Sequence, residues 1–208
     1  MSLSPDRFVD SDHPSIVAFA HEHAGRGDPK QDAIALFYAV RDGWRYDPWN
    51  VSANPDDYRA SVVLARDPRQ GHCIDKAVLL AASARAVGIP ARLHFANVRN
   101  HVATGKLEEA LGTDLLVYHG YTELFLSDHW IGVTPAFNAS LCERLGVAPL
   151  DFDGETECLF QAYDREAGAF MEYVTDHGPH DSVPFDDMVA AWRHHYRASY
   201  VEGSASAP

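Results

Sequence analysis

Cysteine is scarce in this chain of 208 residues. Only Cys73, Cys142 and Cys158 occur, an odd number at wide spacing, which argues against a disulfide framework and against a zinc finger. Basic side chains are also few. Seventeen Lys and Arg face 30 Asp and Glu, a formal charge of −13, and this argues against a phosphate backbone as partner, because nucleic-acid binding rests on Lys and Arg. No apolar run approaches the length of a membrane span, and the N-terminus lacks a basic-then-apolar signal pattern. The expectation is a reduced, cytoplasmic protein with neither a nucleic acid nor a membrane as partner. Internal repeats are absent, as are a phosphate-cradling glycine loop and a His-Glu-x-x-His helix.

What is there suits one domain with a sizeable core: 46% hydrophobic and 23% charged residues. The reading assigns residues 1–201 to that domain and 202–208 to a disordered tail. Asp28-Pro29-Lys30-Gln31 is a helix start, with Asp as N-cap and Pro in the first turn. Ala33, Leu36, Phe37, Val40 and Trp44 then share one face. Shorter helices are expected at 16–21, 56–65 and 138–145, and a helical turn or two at 106–111. A docking helix should carry Phe185, Met188, Val189, Trp192 and Tyr196. Strands are expected at 92–98, 115–126 and 130–134, the last two joined by a turn at Ser127-Asp128-His129. Residues 66–71 and 97–105 read as loops, and 150–172 as loops and strands without clear order.

The chemistry concentrates in Gly71-His72-Cys73-Ile74-Asp75-Lys76-Ala77, which opens an apolar helix closed by Gly88-Ile89-Pro90. It places Cys73 in the first turn, where the partial positive charge of a helix N-terminus favours a thiolate nucleophile. His119 opens one strand pattern downstream and Trp130 another. With a tight turn near Asp128, Tyr121 lies opposite Thr134, and His119 and Thr134 become diagonal neighbours on one face. A slip of one residue would remove Thr134 from that face.

This order of cysteine, histidine and polar partner resembles the transglutaminase-like family, a branch of the papain-like cysteine enzymes. Gly71, Cys73, Arg85, Gly88, Ile89, Pro90, Ala91 and Arg92 match its first block. His119 and Glu123 match the second, with Tyr121 where Trp is usual. In the third block Thr134-Pro135 stands where the family has Asp-Pro, so Thr134 occupies the position of the catalytic aspartate. The resemblance spans roughly residues 30 to 138. It implies an α+β fold with a papain-like/transglutaminase core: N-terminal helices, the nucleophile helix among them, packed on an antiparallel sheet. It implies acyl transfer or hydrolysis at an amide through a thioester, with no cofactor and no metal.

In that reading Cys73 attacks the carbonyl, and His119 keeps the thiol ionised and protonates the leaving amine. Thr134 can orient the ring but carries no charge. In a serine triad, losing that carboxylate costs roughly ten-thousand-fold. Asn138 is a substitute orienter, while Asp128 lies too far away at the hairpin tip. Glu123 reads as a structural hydrogen-bonding group, and Arg92 as a partner of either substrate or a buried carboxylate. The backbone N–H of Cys73 and one upstream donor would form an oxyanion hole, with Trp44, Tyr46 and Gln70 as candidates by position. The bland alternatives are a small buried cysteine at a helix start and a half-buried strand histidine.

Three hypotheses follow. The first is a cysteine amidase, peptidase or transglutaminase-type acyltransferase acting on a peptide, a protein or a small amide. The second is a weakened or inactive scaffold that binds a peptide or protein partner. The third is a metal-binding protein using the clusters His21-Glu22-His23, His177-x-x-His180 and His194-His195, which read better as solvated surface histidines.

Overall fold

A computed structural model describes residues 2–49, 51–100, 105–160 and 171–202. Three helices come first: α1 (Pro14–His23), α2 (Pro29–Gly43) and α3 (Ala60–Leu64), the last preceded by a 3-10 turn over Pro55–Tyr58. The expected single helix at 56–65 is thus two pieces, parted at Arg59, whose extended backbone caps α3. Asp28 caps α2 by accepting from the N–H groups of Lys30 and Gln31. Two short strands, β1 (Arg45–Tyr46) and β2 (Gln70–Gly71), pair in parallel just before the central helix α4 (Cys73–Ala86). The loop expected at 66–71 therefore ends in a strand, too short to leave any periodicity in the sequence.

Helix α4 is buried on every side from Ile74 to Arg85. A helix apolar all round belongs in the middle of a core. Helices α1, α2 and α3 pack on it from one side, and the sheet from the other. The sheet is antiparallel, in the order β5 (His129–Val133), β4 (Leu115–Leu126), β3 (Ala91–Asn100), β6 (Met171–His180). Gly120 on β4 allows the close approach of α4: a methyl there would come within 3.1 Å of Ile74 Cγ1. The Thr122 hydroxyl donates to the Ala77 carbonyl at 2.9 Å, fixing the helix along the strand.

The β4–β5 hairpin turns at Ser127 and Asp128, both with positive φ (49° and 65°). Two successive left-handed residues match the twist of the flanking strands, and this sets the register. Thr122 pairs with Val133, and the same count brings Thr134 level with Tyr121, as the sequence predicts. There Thr134 leaves β4, and its N–H donates to the Cys158 carbonyl at 2.8 Å.

Helices α5 (Gly105–Leu111), α6 (Ala139–Leu145), α7 (Phe185–His195) and α8 (Ala198–Val201) complete the described elements. Two sequence expectations need correction. The loop expected from residue 97 is strand as far as Asn100, and 101–104 lie outside the described residues. Strand β6 received no assignment from the sequence beyond residue 172, yet it pairs with β3 from Leu93 to Asn100. Glu202 caps α8, and the rest of the expected tail, 203–208, is outside the described residues, as is 161–170. Among the described residues no helix is long and apolar enough to cross a membrane.

Candidate active site

Cys73 is the first residue of α4, and His72 is the cap before it. The His72 ring accepts from the Ile74 N–H at 3.1 Å through Nδ1, so its proton sits on Nε2. Asp75 returns the favour by accepting from the His72 N–H at 3.0 Å, a reciprocal capping box. Arg66 grips both Asp75 oxygens, at 2.7 and 3.0 Å. The turn that presents Cys73 is thus anchored by a buried ion pair and by the helix's own first donors.

Cys73 and His119 line one cavity of about 50 Å³. Tyr46, His72, Trp192, Tyr196 and Tyr200 are among its other walls. Burial pushes the Cys73 thiol up to about 11, although N–H groups of Gly120, Ile74 and Cys73 itself pull the other way. His119 is 4% exposed, and neither ring nitrogen has a hydrogen-bond partner among the described residues. Burial, with His72 nearby, pushes its imidazole down to about 4. Burial thus works against the expectation of a thiol kept ionised by the helix and by His119. Desolvation disfavours the charged form of each group and outweighs the pull of the helix terminus on the thiol.

The third position is equally incomplete. Thr134 is buried, and its hydroxyl has no partner among the described residues. Asn138 accepts from the Tyr46 N–H at 3.0 Å and donates to the Ser140 hydroxyl at 2.7 Å. Neither side chain hydrogen-bonds His119. The oxyanion candidates separate clearly. The Trp44 indole is in the core and donates to the Val63 carbonyl at 3.1 Å. Gln70 accepts from Arg45 and lines a different cavity, beside Asp57 and Arg66. Tyr46 alone of the three lines the Cys73 cavity.

Glu123 accepts from Arg92 and lies 3.0 Å from His94 Nδ1. His94 Nε2 is 2.6 Å from Asp176, and its ring stacks on Tyr121 at 4.7 Å. Arg92 also sits 4.1 Å over the Trp130 ring. This cluster ties β3, β4, β5 and β6 together. Cys142 and Cys158 are buried, and burial pushes the Cys158 thiol up to about 12. His177 is no free surface histidine: it stacks on Tyr118 at 4.2 Å and lies 2.9 Å from Asn97. Among the described residues no three His, Cys, Asp or Glu side chains could hold a metal ion together.

Sequence reasoning missed His72, Gly120 and Tyr200. A glycine inside a strand pattern, next to a candidate histidine, is a legible sign of close approach by another element. Nothing local marks Tyr200, whose hydroxyl reaches the Pro48 carbonyl at 2.5 Å across 152 positions of sequence.

A search among curated proteins finds no match. Among solved structures, one similar chain is a candidate cysteine protease from Cytophaga hutchinsonii, 20% identical, with a TM-score of 0.48 over 86% of this chain and 52% of that one. Another is a candidate protease from Parabacteroides distasonis, 14% identical, with a TM-score of 0.39 over 61% of this chain and 25% of that one. This chain thus spans about half the length of the first and a quarter of the second. The family model described as transglutaminase-like superfamily matches residues 17–135, which include Cys73, His119 and Thr134. On that match, over more than half its length, the chain belongs to the transglutaminase-like superfamily.

Proposed function

We propose that this protein is a cysteine-nucleophile enzyme that transfers or hydrolyses amide acyl groups through a thioester. The observation that carries the reading is Cys73 at the head of α4, in one cavity with His119 and with backbone N–H groups turned toward its sulfur. In the acylation step the Cys73 sulfur bonds to the substrate carbonyl carbon. Its proton passes to His119 and then to the departing amine nitrogen as the C–N bond breaks. Water or an acceptor amine next attacks the thioester, and the C–S bond breaks to return the thiol. The N–H of Cys73 can take the developing oxyanion, with Tyr46 as the nearby side-chain candidate. The substrate is a peptide, a protein or a small amide.

A resting pair that is neutral needs proton transfer to accompany attack. The site is then activated by bound substrate rather than poised beforehand. Thr134, whose hydroxyl has no partner among the described residues, and Asn138, which would have to leave the Tyr46 N–H and Ser140, remain the proposed orienters.

One observation favours a second reading, a binding scaffold: His119 has no orienting partner among the described residues, and the third position carries no charge. A panel of acyl probes, from p-nitroanilides and thioesters to glutamine peptides offered with a primary amine, separates the two. Turnover in the parent that Cys73→Ala abolishes supports the enzyme. Probes that bind but never turn over, in parent and variant alike, support the scaffold.

A further inference from the structure

An irregularity in its own strand adjoins His119. Ala96 pairs with His119 and Val98 with Leu116, so Val117 and Tyr118 together stand opposite Asn97 alone. One extra residue on β4 reverses the alternation of faces beyond it. Without it, His119 and Leu116, three positions apart, would point to opposite sides of the sheet. With it, His119 faces the same side as Leu116, which packs on the small cluster of Ala96, Val98, Cys142 and Val147. The bulge thus brings Leu116 and His119 to the walls of one cavity.

The bulge is strained and specifically held. Tyr118 has φ +57°, a left-handed conformation that is sterically unfavourable for a bulky side chain. Its N–H donates to Asn97 Oδ1 at 3.0 Å. The same oxygen lies 2.9 Å from His177 Nε2, which must carry the proton to donate to it. The His177 ring lies flat on Tyr118, 4.2 Å away and within 8° of parallel. Val117 is held from the other side: its N–H donates to the Tyr196 hydroxyl at 2.5 Å, and its carbonyl accepts from the Trp192 indole at 2.9 Å. Side chains of β3, β6 and the C-terminal helix thus replace the ladder bonds that the extra residue displaces.

We propose that Asn97 and His177 are positioning residues for His119: they lock its neighbour Tyr118 in the left-handed bulge and so fix the backbone that holds the imidazole in the cavity it shares with Cys73. The proposal rests on the reading of His119 as the proton carrier for Cys73. A structural role alone would show only in stability, so the test reads the histidine itself. Its titration is followed by NMR, together with the pH profile of Cys73 alkylation by iodoacetamide and kcat and KM on whichever acyl probe the parent turns over. The titratable groups that line the cavity beside the ring are Cys73, His72, Tyr46, Tyr118, Tyr196 and Tyr200; the single variants leave all of them unchanged, and the glycine rescue replaces Tyr118 alone.

Asn97→Ala is expected to lower kcat about tenfold or more with KM little changed, because a small misplacement of a reacting group is costly. The His119 midpoint should move up as the ring gains solvent. Asn97→Asp keeps an acceptor oxygen and should retain most of the parent's behaviour. The double variant Asn97→Ala/Tyr118→Gly should regain much of the loss, since glycine adopts positive φ without strain. If Asn97→Ala does not fold, His177→Phe, which keeps the stacked ring and loses the donor, decides the matter by the same readings. The proposal is overturned if Asn97→Ala or His177→Phe lowers only the melting temperature, with the His119 titration and alkylation profile unchanged. Failure of glycine to rescue a folded Asn97→Ala would also overturn it. If the parent shows no Cys73-dependent turnover, the acyl-transfer reading fails, and the His119 titration still decides the positioning role.

Discussion

Lys76 sits one helical turn after the nucleophile and is fully buried. Its ammonium donates to three backbone carbonyls: Arg41 at 2.8 Å, Trp44 at 2.8 Å and Ala136 at 2.7 Å. Arg41 and Trp44 lie in the last turn and at the cap of α2, where carbonyls lack intrahelical partners and the dipole favours a cation. Ala136 lies in the segment between Thr134 and Asn138. Lys76 therefore closes α2 and pins that segment to α4. Burial pushes the ammonium down to about 7, while three carbonyls, one for each N–H, favour the charged form. Lys76→Met keeps the length of the side chain and leaves the three carbonyls without their donor. Each abandoned buried acceptor costs about 1–3 kcal/mol. Removing the buried charge returns several kcal/mol of desolvation. The balance is a loss of about 3 kcal/mol, or about 6–12 °C in Tm for a chain of this size. Urea and thermal unfolding followed by circular dichroism at pH 6, where the ammonium is populated, measure it. A loss under about 1 kcal/mol, or a gain, would refute the clamp, since three satisfied carbonyls could not then depend on Lys76.

Four further outcomes are expected. Iodoacetamide should label Cys73 before the buried Cys142 and Cys158, at a rate that climbs as pH approaches its thiol value of about 11; a plateau below neutral pH would show a thiolate–imidazolium resting pair instead. Thr134→Asp should lift His119 from about 4 and bring the rise in alkylation to lower pH; an unmoved His119 titration in a folded variant would remove Thr134 as its partner. Burial opposes the charge of His94, but Glu123 and Asp176 outweigh it and raise its pKa above 6.5, while they themselves are lowered from 4.5 and 3.8. The histidine's contribution is present below 6.5 and lost above its raised value, and the carboxylates' contribution is lost on acidification. His94→Gln should therefore cost more stability near pH 5.5 than near pH 8.5, about one unit below and two above the free histidine value, and equal losses in thermal melts would contradict the network. Tyr200→Ala removes a cavity wall and its bond to the Pro48 carbonyl, so alkylation of Cys73 should quicken; an unchanged rate would mean that entry lies elsewhere.

The sequence by itself determined what acts over a few residues. Asp28 before Pro29, the glycine-terminated apolar run after Cys73, and the turn at Ser127-Asp128 carry their structure in local backbone preference and in periodicity. That was enough to place Cys73 at a helix head and to count Thr134 level with Tyr121. The family blocks around Cys73 and His119 were legible for the same reason: they are short and contiguous.

Tertiary structure decided the charge states, the setting of the histidine and the cover of the site. Whether Cys73 is thiol or thiolate depends on how much water the surrounding elements exclude, and no local pattern encodes that desolvation. The hydrogen bond of Asn97 to His177 joins residues 80 positions apart, on a strand β6 that no local pattern had marked. Asn138 seemed free to orient the ring until the fold set its amide between the Tyr46 N–H and Ser140. Each outcome depends on side chains brought together over long loops, where polar groups must find partners that the neighbouring sequence does not name.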